Sequence, residues 1–487
     1  MDATFPTVTL AEVAAVAGAE VRGDDGRALV GATSDSRAVT PGCLFFCIRG
    51  EHDDGHRHAA EAVAAGAVAL VVERWLAVDV PQARVPSVRA AIGPMSAVAF
   101  GRPGDDLRTI GVTGTNGKTT CTYLLEAILR DAGLGPGVIG TTGARIDGTP
   151  VAIDRTTPEA PDLHRLLARM RDDGVRVVAM EVSSHALAQQ RTEGLTFDAA
   201  IFTNLSQDHL DFHGTMEAYF EVKARLFTPD HAAVGVVGVD DPWGRRLVAS
   251  AAIPILTYGV GSEGDLHATD VTVGPDGSSF VVDGVRARTA LRGAFNVENC
   301  LAALGGARAM GLELGAAVAS LATVEDVPGR MEMIDAGQGF AVVVDYAHTP
   351  DSIRVVLRGA RSLAAGRVLV VFGCGGERDR AKRPSMGTAA TSTADLAVIT
   401  SDNPRSEDPL AIIDEILPGA AEGGGAYVVE PDRRAAIRLA LHEARPGDIV
   451  VIAGKGHEPV QEIGDATIPF DDRNVVREEL AALGDPA

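Results

Sequence analysis

The chain is short of cysteine, has no excess of basic charge and contains no long hydrophobic run. Its five cysteines, Cys43, Cys47, Cys121, Cys300 and Cys374, are odd in number and include no C-x-x-C pair. Neither a disulfide framework nor a thiolate zinc site is indicated, and a reducing compartment is expected. Lysine and arginine total 44 against 66 aspartate and glutamate, a net charge of −22. Binding nucleic acid by releasing phosphate counterions needs the opposite sign, so no nucleic-acid partner is expected. No stretch reaches the ~18 apolar residues that cross a bilayer, and the opening lacks a basic segment followed by an apolar one. A cytoplasmic protein without membrane insertion is expected. There is no short internal repeat and no low-complexity tract.

What is present is enough apolar residue for several cores: 46% of the 487 residues are hydrophobic and 23% charged. At ~150 residues per domain this length predicts about three domains. Apolar β-branched runs alternate with Ala/Leu-rich amphipathic stretches, the pattern of parallel strands joined by crossover helices, so the fold class is α/β. The turn-rich run Gly101-Arg102-Pro103-Gly104-Asp105-Asp106 and the segment Val327-Pro328-Gly329-Arg330 predict boundaries that divide the chain into 1–106, 107–330 and 331–487. Strands are predicted at 107–112, 175–182, 199–204 and 233–239, then at 342–345, 368–373, 396–400 and 449–453. Most are followed by polar residues. Ligands of open α/β sheets lie beyond the carboxyl ends of strands, so both later domains offer sites, expected to face one another. Residues 264–290 read as an irregular β-hairpin turning at Asp276-Gly277.

The strand at 107–112 leads into Gly114-Thr115-Asn116-Gly117-Lys118-Thr119-Thr120 and a helical pattern at 122–130. Strand, glycine loop and helix start are what a phosphate cradle requires. Backbone N–H groups wrap phosphate oxygens, the helix start adds positive potential, Lys118 reaches the terminal phosphates and Thr119 holds Mg²⁺. Val112 stands where a longer P-loop would begin with glycine, so the match is to the shorter G-x-x-G-K-T form. Glu181 ends one strand, His209 follows the next, and Lys223 lies on the following helix. Glu181 and His209 have the chemistry to hold a second ion between a γ-phosphate and a substrate oxygen.

Seven motifs together resemble the Mur ligases of peptidoglycan synthesis. They are Gly114 to Thr120, Met180-Glu181-Val182-Ser183-Ser184-His185, the run from Phe202 to Asp211, Phe295-Asn296-Val297-Glu298-Asn299, Gly329-Arg330-Met331-Glu332, the run from Asp345 to Asp351, and Ala453-Gly454-Lys455-Gly456-His457-Glu458. The resemblance covers nearly the whole chain and is strongest to the diaminopimelate-adding members. It implies an N-terminal UDP-sugar-binding domain, a central P-loop parallel-sheet ATPase domain and a C-terminal Rossmann-like domain that binds the amino acid. It also implies the reaction: ATP phosphorylates the D-glutamate γ-carboxylate of UDP-N-acetylmuramoyl-L-alanyl-D-glutamate, and an amine of meso-2,6-diaminopimelate takes the acyl group. ATP is then co-substrate, Mg²⁺ the cofactor and a monomer the expected state.

Residue by residue, the resemblance makes Lys118, Glu181, His209 and Lys223 catalytic, with Thr119, Glu181, His209 and a carbamylated Lys223 as metal ligands. Carbamylation converts a cation that repels Mg²⁺ into an anion that holds it. Asn299, Arg330 and Asp345 join Gly114 to Thr120 at the nucleotide, Asp345 being suited to ribose hydroxyls. The UDP-sugar falls to Ser34, Ser36, Glu51, His52, Asp53, Arg155, Thr156, Thr157, Ser183, Gln189 and Arg191, with arginine at 155 where relatives often carry asparagine. Diaminopimelate falls to Arg378, Asp402, Asn403, Pro404, Arg405, Gly454 and Glu458. There Arg405 grips the distal carboxylate, which L-lysine lacks, and Glu458 pairs with the distal ammonium. An unpaired buried guanidinium costs ~3–5 kcal/mol, hence roughly two to three decades of discrimination. A folylpolyglutamate-synthase-like ligase shares the short P-loop but not Asp402-Asn403-Pro404-Arg405, and a nucleotide-binding switch has no use for a third-domain arginine pocket.

Overall fold

The computed structural model describes residues 7–50 and 53–484. Three main sheets follow one another along the chain. The first has five strands in the order Glu20–Arg22, Gln82–Arg84, Ala69–Val72, Leu44–Phe46 and Ala32–Thr33. The second has eleven and the third six.

In the eleven-stranded sheet the strand Arg108–Thr113 is central, paired in parallel with Val177–Glu181 on one side and Phe197–Phe202 on the other. Such a strand is covered on both faces and is apolar on both. Ile110 and Val112 pack with Leu124, Leu125 and Ile128 of the helix Lys118–Asp131 and with Leu301 and Leu304 of the helix Ala294–Ala309. The other face is filled by Leu163, Leu167, Phe197 and Phe220. Gly111 lies so close that an added Cβ would stand 3.0 Å from the Phe197 ring. The chain lays Pro136–Gly140 and then Val177–Glu181 on one side of Arg108–Thr113 before Phe197–Phe202 crosses to the other. That reversal opens a crevice at the strand ends, where the ligand site of such a sheet is expected.

The segment at 264–290 is larger than the predicted hairpin. Leu266–Gly274, Gly277–Val282 and Val285–Thr289 form an antiparallel meander, and the first of them extends the sheet by pairing in parallel with Ile255–Gly259. The reason is a second tight turn, Asp283-Gly284, with both residues at positive φ as a two-residue hairpin loop demands.

In the third sheet Ala341–Asp345, Ile449–Ala453, Val368–Phe372, Leu396–Ile399 and Ala426–Val429 run parallel, with Glu332–Ile334 antiparallel at one edge. Separate apolar cores cover its two faces. Helices leave the strand ends through sharp caps: Thr349 and Ser352 form a capping box for Pro350–Leu363, and Asp408 caps Pro409–Gly423. All five cysteines are buried and free. Among the described residues no helix is long and apolar enough to cross a membrane.

Candidate active site

The carboxyl ends of the second and third sheets face one cleft of about 1180 Å³. Its floor is the predicted P-loop. Gly114, at φ +139, lies where a Cβ would collide with the Thr203 hydroxyl, and Gly117, at φ +89, lies where one would collide with the Asn299 carboxamide. The loop is tied to the next strand end: Thr115 N–H donates to Asn204 O and Asn116 N–H to Asn204 Oδ1. The helix begins at Lys118, four residues before the predicted start. Lys118 Nζ folds over the loop and donates to the carbonyls of Gly114 at 3.0 Å and Thr115 at 2.8 Å. Thr119 Oγ1 accepts from Arg330 Nη2 at 3.0 Å, which brings the end of the second domain region back onto the phosphate cradle.

Beside the P-loop, Glu181 is buried at its strand end and accepts from Thr141 N–H at 2.9 Å and Thr141 Oγ1 at 3.0 Å. Gly140 leaves it room, since a Cβ there would strike the carboxylate. Lys223 is 1% exposed, and its Nζ donates to Gly114 O at 2.9 Å and toward Thr113 Oγ1 at 3.4 Å. Burial first, and Lys118 second, hold its amine well below the ordinary lysine range. His209 sits at φ 53, a left-handed conformation rare outside glycine, and burial pushes its imidazole down to about 3 despite the nearby Asp208 carboxylate.

Glu181, His209 and Lys223 therefore share the cleft, but they do not form a ready cage. Among the described residues no three His, Cys, Asp or Glu side chains are gathered to hold a metal. Lys223, as a free amine, is a donor aimed at a carbonyl and not a ligand. The oxygen donors that remain, the Thr119 hydroxyl and the Glu181 carboxylate, suit Mg²⁺, which takes one or two protein oxygens and completes its shell with phosphate and water.

On the neighbouring wall Thr157 Oγ1 donates to Glu181 O at 2.8 Å, and Arg191 lies 2.9 Å from Glu159 and donates to Thr157 O and Gln189 Oε1. Thr156, Ser183 and Arg191 line the cleft, as does Arg155, whose exposed guanidinium pairs with Glu159 at 2.7 Å. Gln189 stands just behind. Ser34, Ser36 and Asp53 do not line it; they belong to the first domain region, where Asp53 pairs with His58 at 2.7 Å. Glu51 and His52 lie outside the described residues.

Across the cleft, Arg378, Asp402, Asn403, Arg405, Gly454 and Glu458 gather at the ends of three parallel strands, with Pro404 directly behind. Arg405, at φ 52, is stapled to the following hairpin: its N–H donates to Glu462 O and its carbonyl accepts from Gly464 N–H. Its Nε meets Glu462 Oε2 at 2.9 Å and one Nη1 hydrogen goes to Gly376 O at 2.8 Å. Both Nη2 hydrogens and one on Nη1 are left for a ligand, so a two-bond grip is narrower than the free side chain offers. Asp345 is likewise more committed than the sequence implied, accepting from Met331 N–H and Ala347 N–H at 2.7 Å each. Its burial raises its pKa.

Several cleft residues carry no signal that the sequence reading used as a site. Asp208 is almost buried, and its carboxylate stands 3.3 Å from His209, 3.7 Å from His348 and 3.9 Å from Lys382. Burial opposes its charge, yet His348, His209 and Lys382 outweigh that and hold its pKa down. His348 follows a recognised strand end and was findable from the motif. Lys382 lies on an unremarkable helix and was not.

A P-loop and a cluster of charged and polar side chains facing it across one cleft, between the strand ends of two sheets, fit an ATP-dependent ligase. Three family models match in register: the Mur ligase family, catalytic domain at residues 29–96, the Mur ligase middle domain at 112–307, and the Mur ligase, glutamate ligase domain at 329–456. The chain is 48% identical over 460 residues, 92% of this chain and 94% of the other, to the UDP-N-acetylmuramoyl-L-alanyl-D-glutamate–2,6-diaminopimelate ligase of Geobacillus thermodenitrificans. It is 47% identical over 487 residues, 97% and 96% of the two chains, to the ligase of the same name from Streptomyces avermitilis. A solved structure of an enzyme of that name superposes with a TM-score of 0.70 at 36% identity, covering 99% of this chain and 100% of that one. The chain belongs to the Mur ligase family.

Proposed function

We propose that this ligase joins meso-2,6-diaminopimelate to the D-glutamate γ-carboxylate of UDP-N-acetylmuramoyl-L-alanyl-D-glutamate at the expense of ATP, in peptidoglycan synthesis. The observation that carries the reading is the meeting, in one cleft, of the Gly114 to Thr120 cradle with the Asn403, Arg405 and Glu458 pocket. A carboxylate is a poor acyl donor because its oxygen leaves badly. Attack of that oxygen on the γ-phosphorus breaks the bond to the β-phosphate bridge, releases ADP and yields an acyl phosphate. Attack of the amine nitrogen on the acyl carbon then expels inorganic phosphate, and the ammonium proton passes to solvent.

Each wall has a part in this. Backbone N–H groups of the P-loop and Lys118, swung from its loop carbonyls, take the triphosphate, and Arg330 and Asn299 complete the nucleotide side. Thr119 and Glu181 would hold Mg²⁺, with His209 and a carbamylated Lys223 completing a second site; bound there, the metal neutralises phosphate charge. Thr156, Thr157, Ser183 and Arg191 hold the acceptor, and a division into three domains near 106 and 330 would give each one main sheet. The test is phosphate release with the UDP-muramoyl dipeptide, comparing meso-diaminopimelate with L-lysine. Release with the first and little with the second is expected; equal release refutes the amino-acid assignment.

A further inference from the structure

Lys455 has no part in the mechanism above, yet it is fully buried beneath the amino-acid pocket. Its Nζ donates to Asn403 Oδ1 at 3.1 Å and to Val460 O, and lies 3.4 Å from Glu458 Oε2. Asn403 closes the ring, donating from Nδ2 to the same Glu458 oxygen at 2.8 Å. Its Oδ1 also accepts from Glu462 N–H at 3.1 Å. These partners fix which way the carboxamide faces. Turned over, it would set its NH₂ against the lysine and the Glu462 N–H, and its oxygen against a carboxylate, three mismatched contacts in a largely buried site.

Asn403 can therefore show the cleft only an N–H, and Glu458, which also meets the Tyr346 hydroxyl, shows it a carboxylate acceptor. The loops carrying the ring are held from below: buried Arg433, paired with Asp472 at 2.6 Å, donates to Ser401 O and Ala453 O, the residues just before Asp402 and Gly454.

We infer that Lys455 is a positioning residue for amino-acid selection: it locks Asn403 as donor and Glu458 as acceptor, so the pocket takes a zwitterionic head group over a lone ammonium. This rests on the amino-acid reading above, in which the distal end of meso-diaminopimelate is zwitterionic and that of L-lysine is not. Without Lys455 the carboxamide keeps only Glu462 N–H and Glu458 to hold it, so turning over costs less, and its oxygen, beside Glu458, then suits an ammonium alone.

The experiment is steady-state phosphate release by the full-length enzyme with saturating ATP and UDP-muramoyl dipeptide, varying meso-diaminopimelate or L-lysine. Lys455→Met is expected to raise the KM for meso-diaminopimelate by about tenfold or more, with kcat changed less than about threefold. The KM for ATP stays unchanged, and the kcat/KM preference over lysine falls by about tenfold. Lys455→Arg recovers part of that preference. Asn403→Asp, equal in size, keeps an acceptor for Lys455 but removes the N–H shown to the cleft; it reproduces the loss and carries the test if Lys455→Met does not fold. An unchanged KM for meso-diaminopimelate, or equal losses on both amino acids, overturns the inference while leaving the reaction intact. A wild-type enzyme indifferent to meso-diaminopimelate overturns the reading on which it rests.

Discussion

Lys118 and Lys223 direct their amino nitrogens at one oxygen, the Gly114 carbonyl, at 3.0 and 2.9 Å. Two full ammonium charges so close in a buried site repel each other, and burial lowers the pKa of both amines, that of Lys223 the more clearly. A neutral buried amine attacks CO₂: the nitrogen bonds to carbon, loses a proton and becomes a carbamate anion. Lys223 is thereby set up to change sign, from a competitor of Lys118 to its counter-ion.

Replacing Lys223 with alanine is expected to lower kcat by about a hundredfold or more, with partial recovery on adding acetate or propionate. Carbon-13 NMR of wild-type enzyme under labelled CO₂ should show one carbamate resonance that the variant lacks. Full activity of the variant without added carboxylate refutes the assignment.

Arg405 keeps only part of its guanidinium for ligand, the rest being spent on Glu462 and Gly376. Arg405→Ala should cut kcat/KM for meso-diaminopimelate by roughly two to three decades and for L-lysine by far less. Parallel loss on both substrates would place its role in holding the loop.

Glu298 lines the cleft beside Asn299, and burial together with Asp240 and Asp241 pushes its carboxyl up to about 7 from the ordinary 4.5. The sign follows from the raised value. Below about pH 4.5 the group is protonated in both folded and unfolded chains and costs nothing. Between 4.5 and 7 only the unfolded chain ionises, so stability is lost as pH rises, up to about 3 kcal/mol above pH 7. Glu298→Gln should therefore melt higher than wild type at pH 8 and alike at pH 4.5. A difference of the same size at both pH values contradicts this account.

Arg433 and Asp472 are both wholly buried and paired at 2.6 Å. Asp472→Asn strands the guanidinium and should cost about 3–5 kcal/mol, seen as earlier chemical unfolding of the third domain region. Replacing both partners with apolar residues should restore much of that stability, and unchanged unfolding in the single variant would deny the pair its structural role.

Much of this was legible in the chain because the P-loop and the Asp402 to Arg405 turn are contiguous, and contiguous residues carry their own spacing. The central strands fell where apolar runs ended in polar residues. What escaped notice depends on contacts between distant segments. Asp208 meets Lys382 across 174 positions, a separation that leaves no period in the sequence. The second turn at Asp283-Gly284 gives a weak sequence signal because the strands flanking it are short and half polar. Ser34, Ser36 and Asp53 rest on the resemblance alone and are not among the residues lining the cleft, since a motif does not say how two domain regions sit.

The five buried thiols also provide a set of internal reporters. Cys43 and Cys47 lie in the first domain region, Cys121 and Cys300 in the second and Cys374 in the third, and burial pushes those of Cys47, Cys300 and Cys374 up to about 12. A thiol that is neither accessible nor ionised does not react with alkylating reagents until its surroundings open. Labelling rates at each cysteine would thus time the opening of each region separately, and show whether the molecule comes apart as one body or piece by piece.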